Sequence, residues 1–192
     1  MIVLAALMVT PALAAKDSGF TGKIGLSYGL GSAEDADGDT PPRVLNAARG
    51  YVMPGWRIGR WVPGVMMEYR LLNQATNADQ VGNVNYKGSG YQLGVGVSTP
   101  WNRFEFATAI KFFGEHSLSN KVGGNPIIYR MPIGAFLAAT YQIASFSGVD
   151  LHAGLNFDFV AWNQSFVNGA DTDISGNSVK DWGTALEIGA RL

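Results

Sequence analysis

From Phe20 to the last residue, apolar and polar side chains alternate with a period of two, and the formal charges keep to one side of that alternation. Successive side chains of a β-strand point to opposite faces, so the pattern prescribes strands with one apolar and one ionic or small-residue face. Phe20, Ile24, Leu26, Tyr28 and Leu30 alternate with Thr21, Lys23, Gly25, Ser27 and Gly29. Val65, Met67, Tyr69 and Leu71 alternate with Met66, Glu68, Arg70 and Leu72, and Tyr91, Leu93, Val95 and Val97 with Gln92, Gly94, Gly96 and Ser98. Phe104, Phe106, Thr108, Ile110 and Phe112 oppose Glu105, Ala107, Ala109, Lys111 and Phe113. The stretches 130–141, 149–160 and 181–192 repeat the rule, which gives seven clear segments.

An eighth strand is expected around 51–61, with Val52, Trp56 and Ile58 on its apolar face. Pro54 removes a ladder donor there and Gly55 suggests a bulge. An even number returns both termini to one side of a membrane, as in bacterial single-chain barrels. The connections alternate as well. Trp61 to Gly64, Thr99 to Asn102 and Gln142 to Gly148 are short, whereas 31–43, 73–90, 114–128 and 163–180 are long and polar. Short turns on the inner side and long loops outside are the habit of membrane barrels. Aromatics gather at the expected strand ends: Phe20, Trp61, Trp101, Phe104 and Tyr141 by the short turns, and Tyr28, Tyr91, Phe112, Trp162 and Trp182 by the long loops. Interfacial girdles need this placement.

Charge decides whether the apolar stripe meets lipid or an internal cavity. The ionic face carries Lys23, Glu68, Arg70, Glu105, Lys111, Arg130, Asp150, Asp158, Glu187 and Arg191, and the apolar face of the seven clear segments carries no charge. An Arg or Lys facing lipid at mid-membrane costs about 2–4 kcal/mol, so a charge-free face is the lipid face. The opposite face is rich in Gly and Ala, which suits the narrow interior of about eight strands. Only 15% of the chain is charged, against roughly 25% for ordinary soluble domains. The net charge of −1 supplies no field for nucleic acid, and with no Cys there is neither a disulfide framework nor a thiolate site.

Residues 1–14 form an uncharged leader: Ile2 to Val9 is apolar, Pro11 breaks the run, and Ala12 and Ala14 are the small residues that a signal peptidase reads. A signal peptide over 1–14 and a barrel domain over 15–192 are the expected organisation. The run is too short to span as a helix, which takes about 20 apolar residues.

Period-two strands, an exported leader, four long loops and an apolar final residue together resemble the small outer-membrane barrels of the OmpA transmembrane-domain, OmpX and OmpW kind. The resemblance covers about residues 16–192. It implies an all-β, eight-stranded antiparallel up-and-down transmembrane barrel in the bacterial outer membrane. The barrel-assembly machinery would insert it, and outer-membrane lipid and lipopolysaccharide would surround it. The chain ends on Leu192 where that group usually ends on Phe or Trp.

The five inward cations and five inward anions named above balance, so an ionic plug is expected in the lumen, because unpaired buried charges are costly. A gated ion path is the alternative. Asp150 and His152 share a face with Asp158, a pattern of acid/base or partial metal-site kind that lacks a third partner; a hydrogen-bonded lumen histidine is the plainer reading. Glu115, His116, Ser117 and Ser119 open a long loop, but Leu118 stands where barrels that deacylate lipid A place serine, and the serines fall on the other face. Asp35, Asp37 and Asp39 imitate the start of a calcium loop, yet Thr40 replaces its glycine and Asn46 its bidentate Glu, which leaves a solvated acidic loop. No cofactor is expected. Three functions follow in order: a non-enzymatic barrel with a surface or structural role and an unidentified surface ligand, a narrow channel, and a lipid-modifying enzyme.

Overall fold

The computed structural model describes residues 18–34, 43–75, 86–120, 126–167, 170–172 and 179–192. The leader and the centres of the four long loops lie outside these residues. The strands are β1 (Ser18–Glu34), β2 (Arg43–Ile58), β3 (Val62–Ala75), β4 (Tyr86–Trp101), β5 (Phe104–Asn120), β6 (Ile127–Phe146), β7 (Val149–Val167), β8 (Ala170–Thr172) and β9 (Val179–Arg191). Each long strand pairs antiparallel with its chain neighbours, β7 pairs with both β6 and β9, and β9 returns to β1. Eight strands therefore close into a ring without an edge, and β8 is a three-residue addition that pairs only with the end of β7. The seam is long: Lys23 lies opposite Arg191 and Glu34 opposite Lys180. Gly22 and Leu192 exchange backbone hydrogen bonds at its foot, where Thr21 also donates its hydroxyl to the Leu192 carbonyl.

The three short connections are tight because left-handed residues stand where two-residue hairpins need them. Gly59, Asn102, Ser147 and Gly148 have φ of 60°, 55°, 47° and 86°. The other end of the barrel is taller than the sequence suggests. Much of each expected long loop continues the ladder; Glu115 pairs with Arg130, His116 with Tyr129 and Ser117 with Ile128. The second strand also sits earlier than expected, over Arg43–Ile58 rather than 51–61. Val44 to Asn46 pair with both Leu30 to Ser32 and Asn73 to Ala75, and Gly59 already belongs to the turn.

The wall has the expected polarity. Ile133, Leu155 and Leu186 stand outside with 62%, 59% and 73% of their surface exposed, while Glu105 on the other face is fully buried. Soluble monomers rarely expose so continuous a belt of large apolar side chains, and hydrocarbon is the medium that this wall fits.

One band of irregularity runs across β5, β6 and β7. The ladder with β4 slips between Leu93 and Gly94, so Phe112 and Phe113 both face out. In β6, Met131 adopts φ 53° and both Arg130 and Met131 face out. The side-chain amide of Asn163 on β7 donates to the Met131 carbonyl at 3.1 Å. A bulge inserts one residue and inverts the alternation beyond it. Phe113, expected inside, therefore joins the lipid face, and His116 turns inward.

Candidate functional site

The interior is a stack of layers between the short-turn end and the loop end. At the turn end, Glu105 on β5 holds Arg191 of β9 at 2.6 Å and lies 3.6 Å from His152 Nε2 of β7. Arg191 also donates to Ser98 at 3.1 Å, and half-buried Asp150 accepts from Gln142 at 2.8 Å. The next layer centres on Glu187, which takes Lys23 at 2.9 Å, the Tyr51 hydroxyl at 2.6 Å and the Asn156 amide at 2.8 Å. Gly25 is the cradle for that tyrosine: a Cβ there would lie 2.3 Å from Tyr51 Cε1. The absence of a side chain there lets the phenol lie over β1 and reach Glu187 on β9.

The middle layer is the densest. Glu68 and Asp158 are both gripped by Arg70 and by Lys111, with Lys111 Nζ 2.9 Å from Glu68 Oε2, and Arg49 stands 3.7 Å from Asp158. Three cations thus surround two carboxylates, and all five side chains are buried. Arg70 also reaches the Gln92 carbonyl at 3.5 Å, and the Gln92 amide nitrogen approaches His116 Nε2 at 3.4 Å. Beyond this, towards the loop end, the lumen turns apolar. Leu45, Leu72, Leu118, Tyr129, Val160 and Trp162 pack together from five different strands. His116 stacks on Trp162 with ring centroids 4.3 Å apart, and Trp162 donates its indole N–H to Asp181 at 3.0 Å.

Most of the expected lumen residues meet here: Lys23, Glu68, Arg70, Glu105, Lys111, His152, Asp158, Glu187 and Arg191 are all buried inside. Arg130 is the correction. The bulge at Met131 turns it to the outer wall, where it pairs with Glu115 at 2.6 Å and lies over the Phe166 ring. Such half-exposed pairs contribute little, so Arg130→Ala is expected to move the urea midpoint of the refolded barrel by less than about 1 kcal/mol equivalent. A larger loss would mean that Arg130 reaches the lumen network.

Trp162 is the second correction. It is fully buried in the lumen instead of standing in the outer girdle, because it continues the inward phase of Asn156, Asp158 and Val160. Two charges are missing from the expected set: Arg49 lies in the stretch 44–50 of β2, which no expected strand or loop covers, and Asp181 occupies the inward position of β9 that the alternation gives it. With them the buried set is Lys23, Arg49, Arg70, Lys111 and Arg191 against Glu68, Glu105, Asp158, Asp181 and Glu187. The balance is kept with different members.

Among the described residues, the candidate groups for catalysis or metal binding do not converge on one site. Asp150, His152 and Asp158 take separate partners, and among the described residues no three His, Cys, Asp or Glu side chains gather as a metal site. His116 is buried against Trp162 and Gln92, whereas Ser117 and Ser119 lie on the other face. Asp35, Asp37 and Asp39 fall outside the described residues.

No protein-family model matches the chain, and no curated protein is similar to it in sequence. Solved structures are similar in fold. Neisserial surface protein A aligns over 92% of this chain and 99% of its own, with 13% identity and a TM-score of 0.51. Ail, the attachment invasion locus protein of Yersinia pestis, solved with the heparin analogue sucrose octasulfate, aligns over 90% of this chain and 99% of its own, with 11% identity and a TM-score of 0.51. With its closed antiparallel ring, bare apolar wall and ionic interior, the chain has the fold of the small bacterial outer-membrane β-barrels.

Proposed function

We propose that this barrel is a non-conducting outer-membrane protein whose work is done at its loop end, in contact with the cell's surroundings. The observation that carries the reading is the double seal of the lumen. The five-residue ionic layer around Glu68 and Asp158 fills the middle, and the apolar cluster around Trp162 closes the side next to the loops. A conducting pore needs a continuous polar path with exchangeable ion sites; here the charges pair with one another and an apolar cluster packs above them. The same rigid filling makes the barrel a stiff platform for 35–42, 76–85, 121–125 and 168–178, the segments that join its strands at that end. Two barrels of this fold are a Neisserial surface protein and an attachment invasion locus protein by name, which favours a surface-recognition role. Lipopolysaccharide and phospholipid are its proposed surroundings, and the barrel-assembly machinery its proposed route in.

Two measurements test this. Refolded protein in a planar bilayer is expected to give no reproducible conductance steps; regular steps that vanish in Lys111→Met would overturn the sealed-lumen reading in favour of a narrow channel. The chain has no Cys, so single cysteines report sidedness cleanly. On intact cells a membrane-impermeant maleimide is expected to label Asp37→Cys but not Ser147→Cys, and the opposite pattern would invert the assigned orientation.

A further inference from the structure

The outer wall is not uniformly convex. A groove of about 570 Å³ crosses it obliquely, from Trp61 at the β2–β3 turn, over β4, β5, β6 and β7, to Thr184 on β9. Its volume lies within the range of small-molecule pockets, roughly 300–1,000 Å³. Small outward residues interrupt the belt of large ones along it: Thr108, Ala139 and Thr184 line the groove together with Phe106, Leu137 and Phe157. Pairing fixes this arrangement, since Thr108 faces Leu137, Leu137 faces Phe157, and Phe157 faces Thr184. Because the strands tilt, the groove climbs. Trp61 is a turn residue at the barrel's foot, whereas Thr184 lies near the middle of β9.

The foot of the groove is cationic. Arg60 lies over the Trp61 ring with its guanidinium carbon 5.2 Å from the centroid. Arg103, in the neighbouring β4–β5 turn, is exposed and donates to the Tyr141 hydroxyl at 3.4 Å. The two turns, Gly59–Trp61 and Asn102–Arg103, contain no carboxylate. An apolar trough that starts beside two exposed arginines at the barrel's foot and rises along the wall matches a molecule with a phosphate at one end and a chain at the other.

We propose that this groove holds one anionic diacyl phospholipid of the leaflet on the turn side, its phosphate between Arg60 and Arg103 and one acyl chain lying over Thr108 and Ala139. The proposal rests on the membrane-spanning reading above. It does not depend on which side of the membrane the turns face, because the binding is read in micelles.

The test is native mass spectrometry of the purified, folded barrel offered equal amounts of phosphatidylglycerol and phosphatidylethanolamine with identical chains. One retained lipid per barrel, with phosphatidylglycerol favoured, is the expected result. Arg60→Gln and Arg103→Gln should each reduce that preference by about fivefold, the effect of one basic side chain at an anionic surface. Thr108→Phe, which fills the groove, should abolish the adduct while the protein keeps heat-modifiable migration on a gel; Ala139→Phe is the second such variant if the first does not fold. No adduct, equal retention of both lipids, an adduct that survives both filling variants, or a two-barrel mass that displaces the lipid would each overturn the proposal. Sidedness is read separately by the cysteine labelling above, so failure of one reading leaves the other standing.

Discussion

Replacement of Asp158 by alanine is expected to destabilise the barrel by about 3–5 kcal/mol, the usual cost of removing one partner from a buried ionic cluster. Asp158 answers Arg49, Arg70 and Lys111 at once, and its loss leaves three buried cations with Glu68 alone. Little water can reach them, because the apolar cluster around Trp162 lies above, Tyr51, Met53 and Phe136 pack in a second apolar cluster within the same lumen, and the cavity beside Arg49, Arg70 and Asp158 is only about 10 Å³. The measurement is the urea midpoint of the refolded protein in micelles, followed by heat-modifiable migration. Asp158→Asn combined with Lys111→Met should recover much of the loss, since one charge of each sign is then removed and the pair is coupled. An unchanged midpoint in Asp158→Ala would show that these cations reach water and that the lumen is open.

The second large effect belongs to the outer wall. Leu186→Arg is expected to cost about 2–4 kcal/mol when the barrel refolds into phospholipid bilayers, because an arginine near the midplane must be dragged out of water. Leu186 is the most exposed of the large apolar side chains on the wall and lies in the middle of β9. The same change at Ser145, next to the short β6–β7 turn, should cost about 0–1 kcal/mol, as interfacial positions do. Equal costs at the two depths would contradict a hydrocarbon surrounding.

Period two was enough to find the wall. Phe106, Ile133 and Leu155 are exposed and Glu105, Lys111 and Glu187 are buried, as the alternation requires. It fails where the backbone breaks its own phase. Both breaks sit beside residues that mark bulges, Gly114 after Phe113 and Pro132 after Met131, but the alternation alone does not say which residue is the extra one. One slipped residue then exchanges inside and outside for everything beyond it, which is how Arg130 leaves the lumen and His116 enters it. Arg49 was hidden by a different cause. Val44 to Ala48 show no clean alternation of apolar and polar residues, yet pairing with β1 and β3 on both sides holds them as strand. Trp162, by contrast, was legible: its number is even like that of Asp158, and the aromatic-girdle argument displaced the simpler phase argument. The four loop centres, where a recognition role would be written, carry no periodicity from which contacts follow.

The junction of β1 with β9 bears on how such a molecule is made. Partners across it are separated by nearly the whole chain, as Lys23 and Arg191 are, so half of the first strand's hydrogen bonds wait until the last residues have left the ribosome. Contacts this distant in sequence make for slow folding. Until they form, two raw strand margins lie open to any passing chain. A polypeptide cut short before Val179 would lack its closing partner altogether, and aggregation rather than a smaller barrel is its expected fate.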